Sequence, residues 1–324
     1  MYALHCCCLD DALQRRTTKP LMKKIKGKHT RNIPTWKSKF RRTLVLALSS
    51  LSIILLTSQV TDLNQPVGEY LGQDTPGLTP ELFAKDIIPD DLHSAPIFSP
   101  DGSMVYYKPL TNNGIMTMRM KNERWTSPVP LFVNDELDNS DDPCLNPRGD
   151  ILFFSSYNKE ENREYIYYCL QKEAGKCTPE MPAGKLNSLD LHWQISVADN
   201  GNIYSSSNGN IYCSVFEKGI YSQPVKLGTN INSEYSECTP YVSPDESMLI
   251  FSRANEGKPD LFVSYKDEYG NWSGATALGS EINTEHHEMC PSISPDGKYL
   301  FFLSSRGGLF SAYWVDAKVL DVRL

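Results

Sequence analysis

Polar and apolar positions in this chain recur on a long period. Four segments align without a gap: Pro96-Ile-Phe-Ser-Pro-Asp-Gly102, Pro143-Cys-Leu-Asn-Pro-Arg-Gly149, Pro240-Tyr-Val-Ser-Pro-Asp-Glu246 and Pro291-Ser-Ile-Ser-Pro-Asp-Gly297. A degenerate fifth, Gln194 to Gly201, lies between the second and third, with Ala198 where the others have their second proline. The reference positions 100, 147, 198, 244 and 295 are 47, 51, 46 and 51 residues apart. Proline presets φ for the first turn position, and Asp and Gly suit the later ones, so each motif predicts a strand, a tight turn and a second strand. Apolar runs follow the turns: Met104 to Tyr107, Ile151 to Phe154, Met248 to Phe251 and Tyr299 to Phe302.

Each repeat holds a third strand signal, and three of them hold a fourth. A third short strand is predicted at Ile115–Met118, Tyr165–Tyr168, Ile211–Val215, Leu261–Ser264 and Phe310–Tyr313. A fourth follows an aromatic residue, at Trp125–Leu131, Tyr221–Leu227 and Trp272–Leu278. Prolines in these last segments suit an edge strand, because proline cannot donate to a ladder. A period near 48 with four strands is the pattern of a propeller blade and too long for helical solenoid repeats. The fold class expected is therefore all-β: a β-propeller of four-stranded blades. The fifth repeat stops after its third strand, while Thr79 to Lys85 reads as a lone fourth strand ahead of the first repeat. Pairing the two would close a ring of five blades and leave no open edge. Six blades would require residues 59–93 to supply another repeat.

Composition agrees. The 324 residues include 41 Gly and Pro and 34 aromatics, which favours turns and strands over a helical bundle. The net charge of −7 divides unevenly. Residues 1–42 form a basic N-terminal region with 12 Lys/Arg against Asp10 and Asp11, whereas residues 43–324 carry 20 basic and 37 acidic residues. Such an acidic body repels phosphate backbones, so no nucleic-acid partner is expected. Behind Arg41 and Arg42, residues 44–57 are uncharged and apolar. That run is short for a membrane span and fits the apolar region of a signal peptide behind a positive flank. Residues 43–58 thus read as a signal peptide or an uncleaved signal anchor, 59–68 as a linker and 69–324 as the propeller domain. The N-terminal segment is expected to enter or cross the membrane. The body would then be exported, periplasmic or extracellular, or held at the inner membrane by residues 43–58.

Export bears on the cysteines. Cys6, Cys7 and Cys8 lie in the basic region; Cys144, Cys169, Cys177, Cys213, Cys238 and Cys290 lie in the body. An even number in an exported domain permits disulfides. Cys169 and Cys177 flank what reads as a hairpin tip and could be bridged; the others fall on predicted strands and read as buried thiols.

These Ser-Pro-Asp-Gly turns with aromatic β runs resemble the WD40-like propeller repeats of the TolB family. Glu69 to Ala84 and Tyr313 to Lys318 are similar to the opening and close of a group of exported bacterial proteins with such repeats. The resemblance covers about residues 69–320 and implies a fold, not an activity. Arg148 for Asp, Glu246 for Gly and Ala198 for Pro depart from the pattern and are expected to weaken individual turns.

No Gly-x-Ser-x-Gly elbow, His-Glu-x-x-His or phosphate-binding Gly-x-x-x-x-Gly-Lys occurs. One constellation remains. Just upstream of each inner strand stands a titratable residue: His93, Asp141 and Asp142, His192, Glu237, then His286, His287 and Glu288. Converging at one channel mouth, they would form a ring of imidazoles and carboxylates able to hold a divalent metal, or a hydrated rim with no ligand. Histidines hold a metal in the propeller of oligogalacturonate lyase, a likeness in repeat type that carries no residue across. The acidic stretch Asp135 to Asp142 lacks EF-hand spacing and reads as solvated. Trp125, Tyr221 and Trp272 read as blade packing, and Trp193, beside His192, as packing or a stacking platform. The function expected is an exported binding module or scaffold for a protein, peptide or glycan in the cell envelope. The alternative is a metal-assisted polysaccharide lyase or hydrolase using the ring.

Overall fold

The computed structural model describes residues 65–321, apart from 113, 132–139, 159 and 172–177. The strand β1 (Glu81–Leu82) comes first in the chain and completes the last blade. Blade 1 runs β2 (Leu92–Phe98), β3 (Met104–Pro109) and β4 (Met116–Lys121), with short strands β5 (Arg124–Trp125) and β6 (Val129–Pro130) both on β4. Blade 2 has three strands among the described residues, β7 (Ser140–Leu145), β8 (Ile151–Asn158) and β9 (Arg163–Leu170). Blade 3 is β10 (Trp193–Val197), β11 (Ile203–Ser207) and β12 (Asn210–Ser214); after a hairpin of β13 (Phe216–Glu217) and β14 (Ile220–Tyr221), β15 (Val225–Lys226) completes it. Blade 4 is β16 (Ser236–Val242), β17 (Met248–Asn255), β18 (Lys258–Tyr265) and β19 (Thr276–Ala277). Blade 5 is β20 (Glu288–Ile293), β21 (Tyr299–Ser304) and β22 (Ser311–Asp316), and β1 pairs with β22 to close the ring. Residues 65–91 supply this strand and one 3-10 turn, Glu69–Gly72, so among the described residues the ring has five blades and no sixth.

The turn motif explains the repeat. In blade 1 the Ser99 hydroxyl donates to Asp101 Oδ1 and accepts from the Met104 amide at 2.9 Å, while the Gly102 amide donates to the Ser99 carbonyl at 2.8 Å. Ser243 with Asp245 and Ser294 with Asp296 repeat the arrangement. In blade 2, Asn146 replaces serine: its Oδ1 accepts from the Ile151 amide and its Nδ2 donates to Asp150, which supplies the carboxylate that Arg148 lacks. Glu246 does not weaken its turn as expected. It holds φ of 55°, where the other motifs have glycine, and accepts from Asn200, Asn202 and Tyr204 of blade 3. The side chain ties two blades together and offsets the left-handed backbone.

Four of the second strands open on an apolar run because both faces are covered there, while that of blade 3 reads Ile203-Tyr-Ser-Ser-Ser207. Leu152 and Phe154 pack towards blade 1, and Phe153 towards blade 3. Leu249 and Phe251 face blade 3, and Ile250 faces blade 5. The core is thus five clusters, one at each blade junction. The junction of blades 5 and 1 also takes up Leu71 and Phe83, with Tyr70 packed against it. Trp125 and Tyr221 are buried as packing residues, and Trp272 carries Lys266 Nζ 4.9 Å above its ring. Cys169 is disulfide-bonded; Cys177, its expected partner, and most of the acidic stretch lie outside the described residues, as does the N-terminal region.

Candidate functional site

All five inner strands carry an irregularity at the same place, just ahead of or across the first proline of the motif. In four of them a non-glycine residue sits at positive φ there: Asp142, Gln194, Thr239 and Cys290. The bulge turns a side chain or amide towards the neighbouring blade instead of along the ladder. A polar belt results. The Gln194 amide donates to Asp142 Oδ2 at 2.9 Å, the Thr239 amide to Ser206 Oγ at 3.3 Å and the Cys290 amide to Thr239 Oγ1 at 3.2 Å. The Cys290 thiol donates to the His93 carbonyl, and the His93 imidazole meets Asp141, which closes the circle. Gln194 also reaches across the axis from blade 3, its Nε2 donating to the Pro291 carbonyl of blade 5 at 3.2 Å.

Beneath the belt lies a channel of about 450 Å³, lined by residues of all five inner strands. Its inner end is formed by Asp142, Gln194 and Cys290 among buried Pro143, Pro240 and Pro291. At the other end Pro100, Pro244 and Pro295 are exposed, so the channel opens on the face of the Ser-Pro-Asp turns. Ile97, Leu145, Tyr241, Met248, Tyr265 and Ile293 line that open part.

The titratable residues singled out by spacing do stand at the starting ends of the inner strands, where most of them are buried. His93, Asp142, His192, Glu237 and Glu288 are all buried, and His287 is half-buried against Phe310. Glu237 accepts from the Ser233 amide and hydroxyl and from Arg253 Nε at 2.8 Å. Glu288 accepts from the Thr284 amide and hydroxyl and from the Ser304 hydroxyl, with Arg306 at 3.5 Å. Each carboxylate therefore knots the loop entering its blade to the second strand of that blade or the arginine just beyond it. His192 is sealed under blade 3, where burial first and the Arg163 guanidinium second hold its imidazole down to about 4, so it is neutral.

His93, Asp141 and Asp142 are different. The His93 Nδ1 stands 2.7 Å from Asp141 Oδ1 and 3.6 Å from Asp142 Oδ1, bridging blades 1 and 2. Burial disfavours the imidazolium, but the two carboxylates outweigh it and raise His93 to about 9. Asp142 is pushed up by burial and by Asp141. Burial would raise Asp141 too, but the His93 charge outweighs it and holds the group down. Glu164, on β9, joins them electrostatically: burial and then the Asp142 charge push it up to about 8, and its Oε2 accepts from the His192 amide. Glu164 and the spanning Gln194 were missed by reading the sequence. The structure shifts the degenerate repeat by one residue: the Gly201 amide donates to the Ala198 carbonyl as the Gly102 amide does to Ser99, so Ala198 takes the serine place and Gln194 the bulge position, whereas the sequence alignment set Gln194 on the first proline and so hid it. Glu164 lies on a third strand, where no motif points to it.

The architecture defines the class of protein: a five-bladed β-propeller built on Ser-Pro-Asp-Gly turns. Its structure is similar to that of a protein assigned as TolB from Agrobacterium tumefaciens, 17% identical, covering 67% of this chain and 71% of that one with a TM-score of 0.47. It is also similar to an endo-arabinase from Bacteroides thetaiotaomicron, 15% identical, covering 75% and 97% with a TM-score of 0.51. At these identities the shared feature is the fold. No protein-family model matches the sequence, and no curated protein matches it.

Proposed function

We propose that this chain is an exported binding module whose propeller recognises a protein, peptide or glycan at the open end of its channel. One observation carries the reading. The open end offers an apolar and aromatic lining, whereas the clustered imidazole and carboxylates stand at the inner end, where of the three only Asp142 borders the channel. A concave, largely apolar cavity with few polar groups suits recognition of a side chain or sugar ring. General acid–base work needs a titratable group within reach of the substrate. Export is supported by the basic region followed by the apolar run of residues 44–57. The acidic body favours a neutral or basic ligand.

The test is to probe the full-length protein against arrays of neutral and basic peptides and neutral glycans. Binding abolished by both Met248→Glu and Ile293→Glu, with circular dichroism unchanged, is the expected result. Binding that survives both substitutions would move the site elsewhere. The second reading, a metal-assisted polysaccharide lyase or hydrolase, draws support from the His93–Asp141–Asp142 cluster. It predicts release of new chain ends from a polysaccharide by the wild type and none by His93→Ala.

A further inference from the structure

We propose that His93, Asp141 and Asp142 form a site for a first-row divalent cation such as Zn²⁺ or Mn²⁺, set between blades 1 and 2 at the inner end of the channel. The inference stands apart from the binding reading. Among the described residues this is the one group of three metal-ligating side chains whose donor atoms all lie within 4.8 Å of one another. One imidazole nitrogen with two carboxylate oxygens is a borderline-hard set that suits Zn²⁺ or Mn²⁺ better than Ca²⁺, which prefers oxygen alone.

Three features beyond proximity support it. First, the His93 side chain is 6% exposed, and although Nδ1 stands 2.7 Å from Asp141, the contact lacks the alignment of a hydrogen bond; Nε2 has no hydrogen-bond partner. A buried imidazole is thus held against two carboxylates, with Nδ1 paired to Asp141 and Nε2 left without a hydrogen-bond partner. Second, the ligands are oriented by neighbours outside the set. The Gln194 amide holds Asp142 Oδ2 and leaves Oδ1 turned to His93, while the Asp142 amide holds Asp141 Oδ1 at 3.0 Å and leaves Asp141 Oδ2 without a described bond. Such outer contacts fix ligand geometry in metal sites. Third, there is access. The Asp141 side chain is 21% exposed, and Asp142 lines the channel. Three protein ligands with an approach from the channel leave a coordination position for water or for an anionic group of a bound ligand. The nearby Lys108 ammonium is held outside the set, its Nζ donating to the Pro109 and Asn112 carbonyls at 3.1 and 2.9 Å.

The Trp193 ring, 6.0 Å from that of His93, supplies a reporter. The full-length chain, stripped with chelator and dialysed, is titrated with Zn²⁺ by calorimetry and with Co²⁺ by fluorescence. One equivalent of Zn²⁺ is expected, competed by Co²⁺, with quenching that is lost in Trp193→Phe. Asp142→Asn and Asp141→Asn should each weaken Zn²⁺ at least about tenfold, while His286→Gln, at a half-buried histidine outside the cluster, leaves it unchanged. Absence of stoichiometric binding to folded wild type overturns the proposal. So does quenching that persists in Trp193→Phe, or affinity equal to wild type in both Asp variants. The Co²⁺ readout on wild-type protein keeps the test decisive should an Asp variant fail to fold.

Discussion

Glu246 shows at the scale of one residue how a departure from a repeat is absorbed. A non-glycine residue in the left-handed region costs about 1 kcal/mol, and its carboxylate returns more through three donors from blade 3 and Lys266 Nζ at 3.4 Å. Glu246→Gly should therefore destabilise despite relaxing the backbone, by about 1–2 kcal/mol in urea titrations; a stabilised variant would refute the account. Arg253→Ala is more severe, because it removes the cation paired with the fully buried Glu237 carboxyl group, and about 3–5 kcal/mol is expected. His192 gives a pH signature. Its folded pKa lies near 4, below the ordinary imidazole value of about 6.5. The unfolded chain therefore takes up the proton first, and the contribution of His192 is complete above about pH 6.5 and lost as pH falls towards 4. The stability difference between wild type and His192→Phe, measured at pH 7 and pH 4.5, should shift in favour of the variant at the lower pH. An unchanged difference would mean that His192 is not held neutral.

At the scale of the element, the turn is the part that sequence expresses most directly. Ser-Pro-Asp-Gly works through bonds within five residues, so local spelling suffices. Asp101, Asp245 and Asp296 all have depressed pKa values. For Asp101 and Asp245 the serine hydroxyl is the leading cause, and for Asp296 the Ser294 hydroxyl and Lys298 outweigh burial. Their contribution is present above the ordinary carboxylate range and is lost as pH falls through it. Asp245→Asn should lower the melting temperature at pH 7 and converge on wild type as pH falls below the ordinary carboxylate range; a constant gap would place the effect outside ionisation. Strand order, the apolar runs that open four of the second strands and proline at the outer edge were legible for the same local reason. The bulge was not. Its residue stands one place before the first proline, yet Asp142, Gln194, Thr239 and Cys290 share neither charge nor size. What they share is a backbone conformation and a donor or acceptor directed at the next blade, which one sequence does not spell. Spacing could therefore bring His93 towards Asp142, but it could not show that Glu237 and Glu288 are occupied by Arg253 and Arg306.

For the whole molecule the consequence of ring closure is that stability is shared between the chain's two ends. Blade 5 is completed by β1, and Phe83, just after it, packs its ring 5.0 Å from both Phe301 and Trp314 and 6.0 Å from Phe98. One aromatic side chain thus joins blade 5 to blade 1 across more than 200 residues of sequence. Phe83→Ala should cost about 3–5 kcal/mol, as should Phe251→Ala at the junction of blades 3 and 4, where Phe251 is fully buried. The two are expected to differ in reach. Opening a junction between blades 3 and 4 leaves both continuous in the chain, whereas loosening Phe83 releases the contact that makes an open array into a ring. Hydrogen exchange should therefore accelerate in Phe83→Ala at β2, β20 and β22 together, while in Phe251→Ala it accelerates around β11 and β17. The same opening would pull His93 on β2 away from Asp141 and Asp142, so Phe83→Ala should also weaken any cation bound between blades 1 and 2. Exchange confined to residues 79–85 would show instead that β1 decorates a ring already held closed by blades 1 and 5 themselves.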